Sequence, residues 1–201
     1  YTSRVNILSV VNELASSVFA SVGMSRLGQL RIFRLGRPRT PELIVISEAN
    51  MVVGSFGIKQ VVEPEPAVKL AYNRNYTVQE SLITGIPERH KKLFQEDWKH
   101  RTATNQESVD LYRMFDEPEP TKTLLQVGPE AEQVAQRRVD LFGVQRVVYK
   151  CKVVGSAALL EVGDTVALRY PRYGLSDGVF ATVVTCSPNW ADKTADLELL
   201  V

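Results

Sequence analysis

The stretch PEAEQVAQRRVDLFGVQRVVYKCKVV, Pro129 to Val154, decides the fold because its hydrophobic periodicity changes partway along. Pro129 suits the first position of a helix, where its missing N–H costs nothing. Glu130 and Glu132 fall where the helix dipole favours negative charge. Val134, Ala135, Arg138 and Leu141 share one face, and Gly143 can end the helix. The spacing therefore predicts a helix over 129–142. Beyond Gly143 the chain turns β-branched, and Val144 to Val154 reads as a long strand. Asp164–Tyr170, Gly178–Cys186 and Ala195–Val201 read as three more. Turn residues separate them at Gly163-Asp164, Gly174-Leu175-Ser176-Asp177-Gly178 and Ser187-Pro188-Asn189. Short strands at this spacing predict a small antiparallel barrel or sandwich.

Toward the N-terminus, Val5, Leu8, Val11, Leu14, Ala15, Val18, Phe19 and Val22 recur at helical spacing. A helix is predicted from Arg4 to Ser16, with Thr2 or Ser3 as its cap. Ser17 to Val22 reads equally as more helix or as the start of a strand. Ser25-Arg26-Leu27-Gly28 is a turn, and Gln29 to Leu35 alternates as a strand does. Ser47 caps a short helical turn. Phe56–Val62 and Ala67–Tyr72 are strands expected to join the C-terminal sheet. Glu63-Pro64-Glu65-Pro66 links them stiffly and denies backbone donors. Pro87 opens a short helix ending near Asp97, Trp98 to Thr104 reads as a strand, and Glu117-Pro118-Glu119-Pro120 as a second rigid loop. The class is α+β. A helix and hairpin form a lobe over 1–56, and a β-rich, barrel-like domain covers 57–201, with its helix near 129–142.

Apolar residues make up 44% of the 201 and charged residues 23%, which is ordinary for a globular chain. A chain of this length can bury roughly 70% of its unfolded surface. The net charge of +1 gives no global attraction to nucleic acid or to an acidic membrane. No run reaches the ~18 apolar residues of a membrane-spanning helix. The chain starts at Tyr1 without an initiator Met, and is expected to be a piece of a longer protein. Cys151 and Cys186 are too far apart in sequence for a zinc ligand pair. They read as reduced, buried thiols, with a bridge between neighbouring strands left open.

No catalytic constellation is legible. There is no Gly-x-Ser-x-Gly, no phosphate-binding glycine loop and no His-Glu-x-x-His. His90 and His100 read as ordinary exposed histidines. Asp97, Asp110 and Asp116 read as solvated charge, since sequence does not bring two carboxylates across a cleft. No metal ligands, cofactor site or catalytic residues are assigned. The most basic stretch holds Arg31, Arg34, Arg37 and Arg39. It reads as a charged strand edge and loop, or as a patch for phosphate or an acidic partner. With Arg74 and Arg172, these are the interaction candidates. A catalytic cell-wall hydrolase and a module binding nucleic acid or surface sugar remain as other readings.

Four segments carry a resemblance. One is the opening helix leading to the hairpin at Leu27-Gly28-Gln29-Leu30. The second is Tyr72-Asn73-Arg74-Asn75-Tyr76. The third is the helix with Ala131 and Ala135 that enters the strand at Arg146. The fourth runs from Leu160-Glu161-Val162-Gly163-Asp164-Thr165-Val166 through Pro171-Arg172-Tyr173-Gly174-Leu175, with Leu197-Glu198-Leu199-Leu200 as the terminal strand. Their order resembles the central hub proteins of the tail tip or baseplate of tailed bacteriophages, prophages and gene-transfer particles. The resemblance implies a non-enzymatic structural role. It implies a ring, commonly a homotrimer, that joins the tail tube to receptor-binding or cell-puncturing parts. Other tail proteins would be its partners, and DNA would pass without sequence-specific binding. The protein would reside in the virion tail after assembly in the bacterial cytoplasm.

Overall fold

The structure is a computed structural model that describes residues 6–36, 44–79, 81–83 and 85–201. The elements in order are α1 (Ile7–Ser17), β1 (Ala20–Met24), β2 (Leu30–Arg34), β3 (Val45–Ile46), β4 (Gly57–Val62) and β5 (Ala67–Tyr72). Then come α2 (Glu88–Gln95), β6 (Lys99–Thr104), α3 (Gln106–Tyr112), β7 (Thr121–Lys122) and α4 (Gly128–Phe142). The chain ends with β8 (Arg146–Val154), β9 (Thr165–Leu168), β10 (Val179–Asn189) and β11 (Thr194–Leu200). Single 3₁₀ turns follow β3 and β8. The α+β class holds. No helix among the described residues is long and apolar enough to cross a membrane.

The chain forms two compact units, each collecting two stretches of sequence. The first comprises residues 1–21 and 65–143, the second 22–64 and 144–201. Strand β1 spans the division.

In the first unit, α4 covers a three-stranded sheet of order β6-β5-β7. Strand β5 turns Val68, Leu70 and Tyr72 inward, the period-2 face of a half-buried strand. Ala131, Val134, Ala135 and Val139 of α4 meet them at helical spacing. Pro129 sits in the first turn of α4, as expected. Arg138 of this helix grips the Glu65 carboxylate with two hydrogen bonds, of 2.7 and 3.0 Å. Helix α1 is capped by Asn6, whose side chain accepts from the Leu8 N–H; Thr2 and Ser3, the expected caps, lie outside the described residues. After α1, Phe19 takes a left-handed φ of 53°, which breaks the helix and releases β1. This resolves Ser17–Val22 as the end of a helix followed by a strand. Helix α3 was not legible in the sequence. Asn105 caps it by accepting from the Ser108 N–H, and Arg113 ends it in a left-handed conformation.

In the second unit a six-stranded sheet runs β3-β9-β10-β11-β8-β4. All its pairings are antiparallel except β3 with β9. Val153, Cys151 and Tyr149 of β8 pack with Leu197, Leu199, Val183, Val166 and Leu168, joined by Ile46 and Met51 from the earlier stretch. Two expectations need correction. The sheet is open, with no closed barrel among the described residues. Its end strands are poor at closing: β3 has two residues, and β4 carries a register shift between Ile58 and Gln60. Nor do Phe56–Val62 and Ala67–Tyr72 complete one sheet, because β4 joins β8 while β5 enters the other unit's sheet. The Glu63–Pro66 link is the point of departure: two prolines withhold ladder donors, and the Glu65 N–H turns to the Phe142 carbonyl.

Candidate interaction surfaces

Strand β2 presents two unlike faces. Its inward residues are Arg31 and Phe33; Leu30, Ile32 and Arg34 point outward. Phe33 lies over Gly163, which sits at φ 94° in the turn before β9; a Cβ there would stand 2.9 Å from the Phe33 ring. Only glycine allows both that backbone and that approach. Arg31 donates to Glu161 Oε2, and its other guanidinium nitrogen lies 3.9 Å from Asp164. Glu161 Oε1 also accepts from the Arg26 N–H at 3.1 Å and from Arg26 Nε at 3.2 Å. The Arg26 backbone donor, with the two guanidinium groups, holds the Glu161 carboxyl below the usual carboxylate range against an opposing effect of burial.

Beside Arg34, the exposed residues of the ribbon are largely apolar. Leu27 at the turn is 84% exposed, Met24 70% and Ile32 62%, and Leu30 is also exposed. An exposed apolar run of this kind, flanked by charge, marks an interaction site more often than an isolated exposed leucine does.

In the first unit, Tyr72-Asn73-Arg74-Asn75-Tyr76 is an organised loop. Asn73 has φ 48°, and Asn75 uses its amide to donate to the Phe94 carbonyl and its oxygen to accept from Thr77. Arg74 pairs with Asp97 at 3.5 Å and lies over the Tyr76 and Trp98 rings, 5.1 and 5.6 Å from their centroids. Trp98 Nε1 is buried without a hydrogen-bond partner among the described residues.

In the second unit, Arg172 is exposed in the turn after β9, and its carbonyl accepts from Leu175. Next to it, Tyr173 (φ 60°) joins Phe56, Tyr149 and Tyr170 in an aromatic group, with Phe56 4.1 Å from Tyr170 and 5.4 Å from Tyr149 between centroids. Burial pushes the Tyr149 phenol above its ordinary value.

Of the six arginine candidates, Arg31 and Arg34 share β2 on opposite faces, and Arg37 and Arg39 lie outside the described residues. Arg74 is in the first unit and Arg172 in the second. His90 and His100 are exposed. Among the described residues, no three His, Cys, Asp or Glu side chains stand close enough to hold a metal ion. Sequence reasoning missed Arg26, Glu161 and Asp164 as one charged group, since 135 residues separate Arg26 from Glu161. It missed the aromatic group for the same reason.

No protein-family model matches the chain, and no curated protein matches it. Solved structures do resemble it. A prophage tail protein, gp18, from Listeria monocytogenes EGD-e is 14% identical with a TM-score of 0.49, over 97% of this chain and 52% of that one. A tail protein from Neisseria meningitidis MC58 is 12% identical with a TM-score of 0.47, over 100% of this chain and 55% of that one. The 43 kDa tail protein of prophage MuSo2 from Shewanella oneidensis is 11% identical with a TM-score of 0.39, over 96% and 51%. The chain thus spans about half the length of these structures.

Proposed function

We propose that this chain is a structural component of a phage or prophage tail, at the tail tip or baseplate hub. It assembles there as a homotrimeric ring around the DNA path and links the tube to host-recognition or cell-puncturing parts. The reading rests on the ordered resemblance of four segments spread over most of the chain. One structural observation supports assembly: the β1–β2 ribbon is fastened by Arg26, Arg31 and Phe33 while Met24, Leu27, Leu30 and Ile32 are exposed. A ribbon of two strands is marginal alone, so a fastened one with exposed apolar residues is suited to a partner. Head-to-tail contacts close into a ring when the rotation permits.

The role includes no catalysis and no gripping of nucleic acid. Arg31 and Arg74 are already paired with carboxylates, so a phosphate would have to displace Glu161 or Asp97. Electron microscopy of the purified protein tests the assembly: ring particles are expected, and their loss in the double variant Leu30→Asp, Ile32→Asp. Rings unchanged in that variant would remove the ribbon from the interface. Peptidoglycan release, or DNA binding with a steep salt dependence, would favour the hydrolase or nucleic-acid readings instead.

A further inference from the structure

The hairpin joining β10 to β11 carries a site that the assembly role does not use. We propose that it binds a saccharide, with a pyranose ring stacked on Trp190. A pocket of about 460 Å³ opens between this hairpin and the 3₁₀ turn after β8. Ala158 and Leu159 contribute from the turn, and Trp190, Asp192, Lys193 and Thr194 from the hairpin. Its volume is that of a small-ligand site.

Three observations point to a sugar. First, Trp190 is 60% exposed, although it is the largest apolar side chain a protein has and stands at the tip of a well-formed hairpin. Second, the turn is pinned. Asn189 Oδ1 accepts from the Ala191 and Asp192 N–H groups at 3.1 and 3.4 Å, and Asn189 Nδ2 donates to Asp192 Oδ2 at 2.8 Å. Lys193 takes a left-handed φ of 54°, which closes the loop. The indole is therefore presented on a fixed frame, and little ordering remains to be paid on binding. Third, Thr194 Oγ1 is buried and has no hydrogen-bond partner among the described residues. An unmade bond of that kind is costly. Thr194 is itself one of the residues that line the pocket.

A pyranose has a flat C–H face and a rim of hydroxyls. The flat face matches the indole, and the rim matches a carboxylate, an ammonium and a hydroxyl placed beside it. An apolar side chain of a partner protein would fill the same volume but offer nothing to Lys193, to the Thr194 hydroxyl or to the Asp192 oxygen that Asn189 does not hold, which a polar-rimmed site penalises.

The test is saturation-transfer NMR on the intact chain with the methyl glycosides of glucose, N-acetylglucosamine and rhamnose. The expected result is transfer onto the ring C–H protons of at least one sugar. The Trp190→Ala variant should bind it at least tenfold more weakly, and Thr194→Val several-fold more weakly. Trp98→Phe, at a tryptophan outside the pocket, should bind as the parent does. No transfer from any of the three at about 10 mM, a concentration that reports even millimolar affinities, overturns the proposal. So does binding undiminished in Trp190→Ala. Binding of phenol at Trp190 with none of the sugars would reassign the pocket to an apolar side chain. Binding that is lost in Trp190→Ala but unchanged in Thr194→Val would remove the hydroxyl from the site.

Discussion

Gly163 and Glu161 join the ribbon to the six-stranded sheet's unit. Gly163→Ala places a methyl against Phe33 at a φ of 94° that alanine resists, so both strain and overlap oppose it. The expected loss is about 1–3 kcal/mol, read as a lower urea midpoint; an unchanged midpoint would mean that Phe33 is not seated there. Glu161 has a folded-state pKa depressed by the Arg26 backbone donor and by two guanidinium groups. A depressed carboxylate stabilises the fold above its unfolded value, near 4.3, and that contribution disappears as pH falls through the folded value. Glu161→Gln should therefore be less stable than the parent at neutral pH. The gap should narrow in acid below about pH 4. A gap constant over that range would show that the carboxylate charge is not what Arg26 and Arg31 hold.

At the scale of elements, strand order decides the fate of the cysteines. Leu197 of β11 pairs with Cys151 on one side and with Cys186 on the other, so a whole strand lies between them. Two interstrand spacings put their Cα atoms about 10 Å apart, beyond the ~7 Å that a disulfide spans. Both are free thiols. Burial, with the nearby Asp196 charge, pushes the Cys151 thiol up to about 12. Native protein at pH 8 should leave Cys151 unlabelled by maleimide until denaturant is added, and reductant should not shift its Tm. Rapid native labelling at Cys151 would contradict this packing. Much of the element list was legible because local rules dominate it. The Pro129 start of α4, the alternation of β5 and the glycine turns around β9 all rest on near neighbours in sequence. Helix α3 was not legible, because its seven residues hold no full hydrophobic repeat and only Asn105 marks it. The placement of β5 away from β4 was not legible either. Partner choice depends on which buried face fits α4, and no local pattern records that. The Glu161 group and the Trp190 pocket were hidden for the same reason, each being assembled by contacts between distant segments.

At the scale of the whole molecule, each unit is built from separated stretches. The fully buried Ile46 and the buried Met51 come from the earlier stretch, and half-buried Phe56 packs against the same core. A fragment of residues 144–201 loses those side chains together with β3 and β4, and is expected to give a collapsed amide spectrum; a dispersed, native-like one would show that the second unit needs only its C-terminal half. The central claim is assembly into a trimeric ring. Its most direct test is the solution mass of the intact chain, by light scattering coupled to size exclusion over a range of concentrations. The account predicts a species of three times the monomer mass that becomes dominant as concentration rises. A monomer at every concentration would contradict it.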